Sequence, residues 1–219
     1  MERTIKINGQ SRLYVKPDKI RISVNVETLS KEYSEAMAYA GTSQREMTDI
    51  VVRAGLAASE CKTLSWGITA EYTYRANERN EQVREFAGYR YRHSFVIELD
   101  MDHSVVGRIL SEISESILTP ELSLKYFVSD PEEFKDKLLA RTVEDSRKKA
   151  EVIARAAGVK LKQPVSIVYT SRGGEMPRGA DNQIAVPRAF AAKAFDMPDI
   201  TPSDIELAES VTVEWEIEE

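Results

Sequence analysis

The sequence predicts an α+β fold of mainly antiparallel sheets with helices packed on one side of them. Two observations carry this. Stretches in which apolar and polar residues alternate recur along the chain, the mark of strands with one buried face. Three stretches of helical spacing fall between them, without the repeated strand-helix-strand rhythm of a parallel sheet. In chain order the elements read β-β-α-β-β-α-β-α-β-loop-β.

Ile5 and Ile7, then Leu13 and Val15, mark a first strand broken near Asn8 and Gly9. Pro17 and Asp18 turn the chain into a second strand, where Ile20, Ile22, Val24 and Val26 alternate with Arg21, Ser23, Asn25 and Glu27, so the chain is expected to begin as a hairpin. From Ser30 the spacing becomes helical: Ala36, Ala40, Met47, Ile50, Val51 and Ala54 share a stripe, Ser30 or Ser34 is placed to cap the start, and Gly55 to end it. Two long strands follow. In one, Leu64, Trp66, Ile68, Ala70, Tyr72 and Tyr74 share a side; in the other, Tyr89, Tyr91, Phe95, Ile97 and Leu99 alternate with Arg90, Arg92, Ser94, Val96 and Glu98. The polar stretch RANERNEQVREF between them reads as an exposed hairpin tip, which makes the pair antiparallel.

A second helix is expected from about His103 to Ile117, with Val106, Ile109, Leu110 and Ile113 on its apolar stripe, and then the strand LSLKYFVSD. Asp130 before Pro131 starts the longest helix, whose stripe combines Phe134, Leu138, Leu139, Val143, Ala150, Ile153, Ala154 and Ala157 before Gly158 closes it. PVSIVY is a strand, 172–205 is a long irregular loop, and SVTVEWEIE is the last strand, with Val211, Val213, Trp215 and Ile217 facing inward. This describes one domain over 1–219, or two interlocked α+β subdomains of about 1–100 and 101–219.

Composition narrows function mostly by exclusion. A net charge of -6 argues against a general nucleic-acid partner, because phosphate backbones are repelled. One cysteine and two histidines are a thin supply for a zinc or dithiol site, so no cofactor or metal is expected. MERTIKINGQ lacks the basic start and apolar run of a signal peptide, and no apolar run is long enough to span a bilayer, so the expectation is a cytoplasmic protein without a membrane-spanning segment.

Several stretches invite a chemical reading. SRGGEMPRGAD resembles a phosphate cradle in its glycines and arginines, but it lacks the terminal lysine and hydroxyl of a Walker loop. The apolar islands that follow, Ile184, Val186, Phe190 and Phe195, together with Arg172, fit an interaction loop better. GYRYRHSF mixes arginines with aromatics, yet alternation sends Tyr89, Tyr91 and Phe95 to one face and Arg90 and Arg92 to the other, against an RNA-stacking sheet. His93 falls on the aromatic face and reads as a hydrogen-bonded, half-buried histidine rather than a catalyst. DMDH, ahead of the second helix, reads as capping carboxylates rather than a metal cluster. Cys61 has no resolving partner. The charges of RTVEDSRKKAEVIARAAG alternate in sign, as a solvated helix face does.

Taken together, IKINGQ, PDKIRISVNVET, GYRYRHSFVIEL, LSLKYFVSD, ARTVEDSRKKAEVIARAAGVKL and DITPSDIELAESVTVEWEI resemble, in order, the SIMPL-domain family. This bacterial group includes YggE-like proteins linked to oxidative-stress defence and periplasmic or surface antigens. The sequence departs from the family at its start, which has no signal peptide, and at Pro202-Ser203, where the family has Pro-Gly. The resemblance implies the α+β fold, a stress association and, in many relatives, an envelope location; it brings no catalytic residues. The expected function is therefore non-enzymatic, through self-assembly or a protein partner, and no small-molecule ligand is expected. The alternative is a small-molecule-binding protein or enzyme using a cleft near the late loop, with His93, Tyr89 or Arg172 as its polar groups.

Overall fold

Strands rich in Ile and Val with one continuous apolar face need a cover, and here helices supply it. The computed structural model describes residues 3–76, 82–169, 183–186 and 201–219. Its elements are β1 (Thr4–Val15), β2 (Lys19–Ser30), α1 (Tyr33–Arg53), a 3-10 turn (Ala58–Glu60), β3 (Lys62–Ala76), β4 (Gln82–Asp100), α2 (His103–Glu115), β5 (Glu121–Phe127), α3 (Glu132–Ala156), β6 (Lys160–Val168), β7 (Gln183–Val186) and β8 (Ile205–Glu218). The described strands form two antiparallel sheets, so the α+β class holds. The chain forms two compact units, the described residues of 1–17, 128–181 and 203–219 making one and those of 18–127 and 182–202 the other.

The larger unit holds the five-stranded sheet β3-β4-β2-β5-β7. Ile20, Ile22, Val24 and Val26 of β2 with Tyr91, Phe95, Ile97 and Leu99 of β4 form one face, and α1 and α2 bury Ala36, Ala40, Met47, Ile50, Val106, Ile109 and Ile113 against it. Asp102 caps α2, accepting from the N–H groups of Ser104 (2.9 Å) and Val105 (3.2 Å). Helix α1 differs from expectation at its start: it begins after Glu32 without a side-chain cap, because Ser30 is still the last residue of β2.

The smaller unit is a three-stranded sheet, β1-β8-β6, with α3 on it. Strand β1 pairs with β8 from Thr4↔Glu216 to Val15↔Ile205, while β2 pairs with β4 and β5. The expected opening hairpin is therefore wrong. A turn at Pro17-Asp18 ends one strand and starts another, but alternation does not name a strand's partner. Nor is β1 broken at Asn8-Gly9. Gly9 is buried within a continuous strand, because only a residue without a side chain lets α3 approach so closely.

The seam between β1 and α3 is polar and tight. The Ser11 hydroxyl donates to the Leu138 carbonyl (2.9 Å), the Gln10 N–H to Asp145 (2.8 Å), and the Trp215 indole N–H to Ser146 Oγ (3.1 Å). The buried line of α3 is Leu138, Thr142, Ser146, Ala150 and Ala154, not the bulkier stripe expected from Leu139 and Ile153, and Ile153 and Ala157 face solvent. Small residues every four positions open the groove that β1 and the Trp215 ring fill. Asp130 does serve the start of this helix, accepting from the Glu132 N–H at 3.1 Å.

Candidate interaction surface

The strand pair β3 and β4 extends beyond its sheet. Strand β2 reaches β4 only as far as Ser30↔Tyr89, so among the described residues 82–88 of β4 pair with β3 alone. Gly88, at φ +148°, carries the chain past the end of β2, where a Cβ would lie 2.5 Å from the Ser30 carbonyl oxygen. The stretch expected to be a polar tip is partly strand, since β4 begins at Gln82 and includes Val83 and Phe86.

One face of this ribbon carries a row of rings. Tyr33 meets Tyr89 edge to face at 5.4 Å, Tyr89 meets Phe86 at 5.2 Å, Phe86 meets Tyr72 at 5.7 Å, and the Arg84 guanidinium lies 3.6 Å from the centre of the Tyr72 ring. The row is open to solvent, with Tyr72 41% and Phe86 40% exposed, and Tyr74 beside it 65% exposed. Leu64, Trp66, Ile68, Ala70, Tyr72 and Tyr74 do alternate as the sequence indicates, but β3 lies at the margin of the sheet and its apolar side is largely uncovered.

Among the described residues β4 is the only strand paired with β3, which leaves the outer backbone edge of β3 open. Exposed edges are normally blunted by charge or proline. Residues 63–70 of β3, TLSWGITA, contain neither. Strand β6, the edge of the smaller sheet, has Lys160, Lys162, Pro164 and two register shifts against β8.

Beneath Trp66 a chain of polar groups runs from the exposed Thr63 into the core. Thr63 Oγ1 lies 2.9 Å from His93 Nε2, His93 Nδ1 lies 2.8 Å from the Tyr91 hydroxyl, and that hydroxyl lies 2.8 Å from Ser43 Oγ, which donates to the Ala40 carbonyl. Counting protons assigns the direction. Ser43 spends its proton on Ala40, so it accepts from Tyr91, Tyr91 accepts from His93 Nδ1–H, and His93 Nε2 accepts from Thr63. Burial pushes the His93 pKa below its ordinary value, which suits a neutral ring. Each group is committed to its neighbour and no carboxylate enters the chain, so it works as a clamp between β3, β4 and α1. The sequence puts His93 on the aromatic face as a half-buried group, and the structure buries it fully; Ser43 and Thr63, polar residues in ordinary helix and strand patterns, give no signal of their part.

The opposite face of the sheet is ionic. Arg90 bridges Glu27 and Glu71, Arg92 reaches Glu27 at 2.8 Å, and Ser94 donates to Asn25 at 2.6 Å. Hydrogen bonds from Arg92 to Glu27 and from Arg90 to Glu71 hold both carboxyls below their usual range. A recess of about 390 Å³ opens here, lined by Asn25, Glu27, Arg90, Arg92, His93 and Glu121 among others; of the polar groups expected for a cleft, His93 is part of its lining and Tyr89 is not. Its arginines are already matched by carboxylates.

The late-loop candidates fall differently from the single irregular segment expected. Ile184 and Val186 lie in β7, which adds to the edge of β5 through Leu124↔Ile184 and Leu122↔Val186. Arg172, Phe190 and Phe195 lie outside the described residues. Burial raises the Cys61 thiol to about 11. The DMDH residues are each engaged: Asp100 with Lys19 at 2.6 Å, Asp102 as the cap of α2, and His103 Nε2 at 3.3 Å from the Tyr126 hydroxyl. Among the described residues no three His, Cys, Asp or Glu side chains gather as metal ligands, and no helix is long and apolar enough to cross a membrane.

Comparison with known proteins assigns the chain to a family. Two similar proteins are the 26 kDa periplasmic immunogenic proteins of Brucella melitensis biotype 1 and Brucella abortus strain S19. Each is 24% identical over 168 residues, covering 77% of this chain and 67% of the relative. The model of the SIMPL family, described as protein of unknown function (DUF541), matches residues 5–215. The chain therefore belongs to the SIMPL family.

Proposed function

We propose that this protein acts without catalysis, as an assembly or protein-interaction module whose contact surface is the β3/β4 ribbon. The observation that carries the reading is the solvent-facing pair Tyr72 and Phe86, packed against the half-buried Tyr89, beside an open strand edge uncharged over 63–70. An exposed apolar surface of this kind on a water-facing protein is the usual mark of a partner site. The late-loop residues Arg172, Ile184, Val186, Phe190 and Phe195 are a second proposed contact.

Light scattering on the full chain over a range of concentrations tests this. A defined oligomer that Tyr74→Ser and Phe86→Ser dissociate, with folding retained, supports the reading. A chain that stays monomeric at every concentration, and whose elution is the same in both variants, counts against self-assembly. The alternative, a ligand-binding protein, finds less support, because the recess near Arg90 has its charges internally paired. The curated relatives are named periplasmic, and the same compartment is proposed for this chain in place of the cytoplasmic one expected from its first residues. Cell fractionation with an antibody to the protein decides between the two.

A further inference from the structure

We infer that the occupant of the open edge of β3 is β3 of a second copy, paired antiparallel about a two-fold axis through Gly67. This rests on the assembly reading above and adds its geometry. Strand addition is chosen over a face-only contact because the backbone edge itself is free among the described residues, and the uncharged run 63–70 puts no like charges against a partner strand.

A two-fold contact brings the same patch onto itself, so the strand must complement its own reverse. Side chains directly opposite each other in an antiparallel pair share a face, which restricts the register. With Gly67 opposite Gly67, Ser65 stands opposite Thr69 on one face and Trp66 opposite Ile68 on the other, each pair occurring twice. The glycines at the axis remove any clash where the two copies cross. The bulge between Thr63 and Ser65 then matters: it restores Lys62, opposite Val96 of β4, to the face that Glu71 occupies. Continuing the register past the bulge sets Lys62 of each copy against Glu71 of the other. Moving the axis by two residues, to Ser65 or Thr69, separates these charges and breaks the Trp66–Ile68 pairing. The result is a continuous sheet through both copies with apolar pairs at its centre and opposite charges at its ends.

The register makes a charge-reversal test possible at two exposed positions, Ser65 and Thr69. Two doubly substituted full-length chains are compared, Ser65→Glu with Thr69→Glu and Ser65→Lys with Thr69→Glu. Within one copy the two positions are too far apart along the strand to interact, so the variants differ mainly across the contact. Circular dichroism and thermal unfolding first confirm that both fold as the wild type does. Sedimentation equilibrium then reads the dissociation constant. Two like-charge pairs are expected to raise it by about tenfold or more, and the mixed pair to return it to the wild-type value or below. If the wild type assembles and both variants assemble equally well, pairing through β3 is overturned while the assembly reading stands. If both variants dissociate alike, the edge is the contact but the register is wrong. If the wild type is monomeric throughout, the inference and the reading it rests on fall together.

Discussion

A Cβ at Gly9 of β1 would lie 2.1 Å from the Thr142 carbonyl oxygen of α3 and 2.9 Å from Ser146 Cβ. Strand and helix thus meet backbone to backbone. Gly9→Ala must push them apart and stretch the hydrogen bonds of Ser11 and Gln10 to the helix. A loss of about 3 kcal/mol is expected, read as a lower urea midpoint with an unchanged slope. A loss below about 0.5 kcal/mol would mean that α3 shifts at little cost.

Trp215 is nearly buried and donates to Ser146, itself fully buried. Trp215→Phe keeps most of the ring and removes the donor, so a loss of about 1–2 kcal/mol is expected. If the hydrogen bond is the cause, Ser146→Ala costs less in the Phe background than in the wild type. A double-mutant cycle measures the coupling, and strict additivity would assign the loss to packing alone.

His93 sets a pH dependence with a definite sign. Its folded pKa lies below the ordinary value of 6.5 because the ring is buried, so the unfolded chain binds the proton more readily. Stability is then full above pH 6.5 and falls as the pH drops below it, by at most about 1.4 kcal/mol per pH unit, until the folded pKa is reached. His93→Gln cannot titrate. The difference between wild-type and variant unfolding free energies should therefore change between pH 7 and 5, and a constant difference would contradict the clamp's neutral histidine.

Cys61 is expected to be sluggish. With its pKa raised to about 11 the thiolate is scarce at neutral pH, and the thiolate is the reactive form. Labelling by a disulfide reagent should be about tenfold or more slower in the folded chain than in denaturant. Equal rates would mean that the folded chain leaves the thiol as reactive as a free one.

The strands and helices were legible because their periods are strong. Ile20 to Val26 and Tyr91 to Leu99 announce a half-buried sheet, and Val106 to Ile113 a covering helix. The antiparallel pairing of β3 with β4 was legible from the hairpin between them, but the partners of β1 and β2 were not: they are adjacent in sequence, yet their pairing depends on β8 and β5, whose complementarity appears only in three dimensions. The buried line of α3 was hidden for a related reason. Thr142, Ser146 and Ala150 are chosen for smallness against Gly9 and Trp215, and hydropathy does not register closeness of approach. The ribbon's aromatic residues were visible in Tyr72 and Tyr74, but Val83 and Phe86 were submerged in a charged stretch. That β3 is an edge is a property of the sheet, and no single strand carries it.

The pairing of β1 with β8 has a consequence for biosynthesis. Strand β1 finds its only described partner in β8, which leaves the ribosome roughly 200 residues later. At about 5–20 residues per second that is a wait of about 10–40 seconds. During this interval the sequence from Asp18 to Phe127 has already emerged, so the bulk of the larger unit can collapse on its own timetable, while Ile5, Ile7 and Leu13 stay without their sheet. A nascent chain cut short before Ile205 therefore leaves β1 unpaired and open to chaperones and proteases.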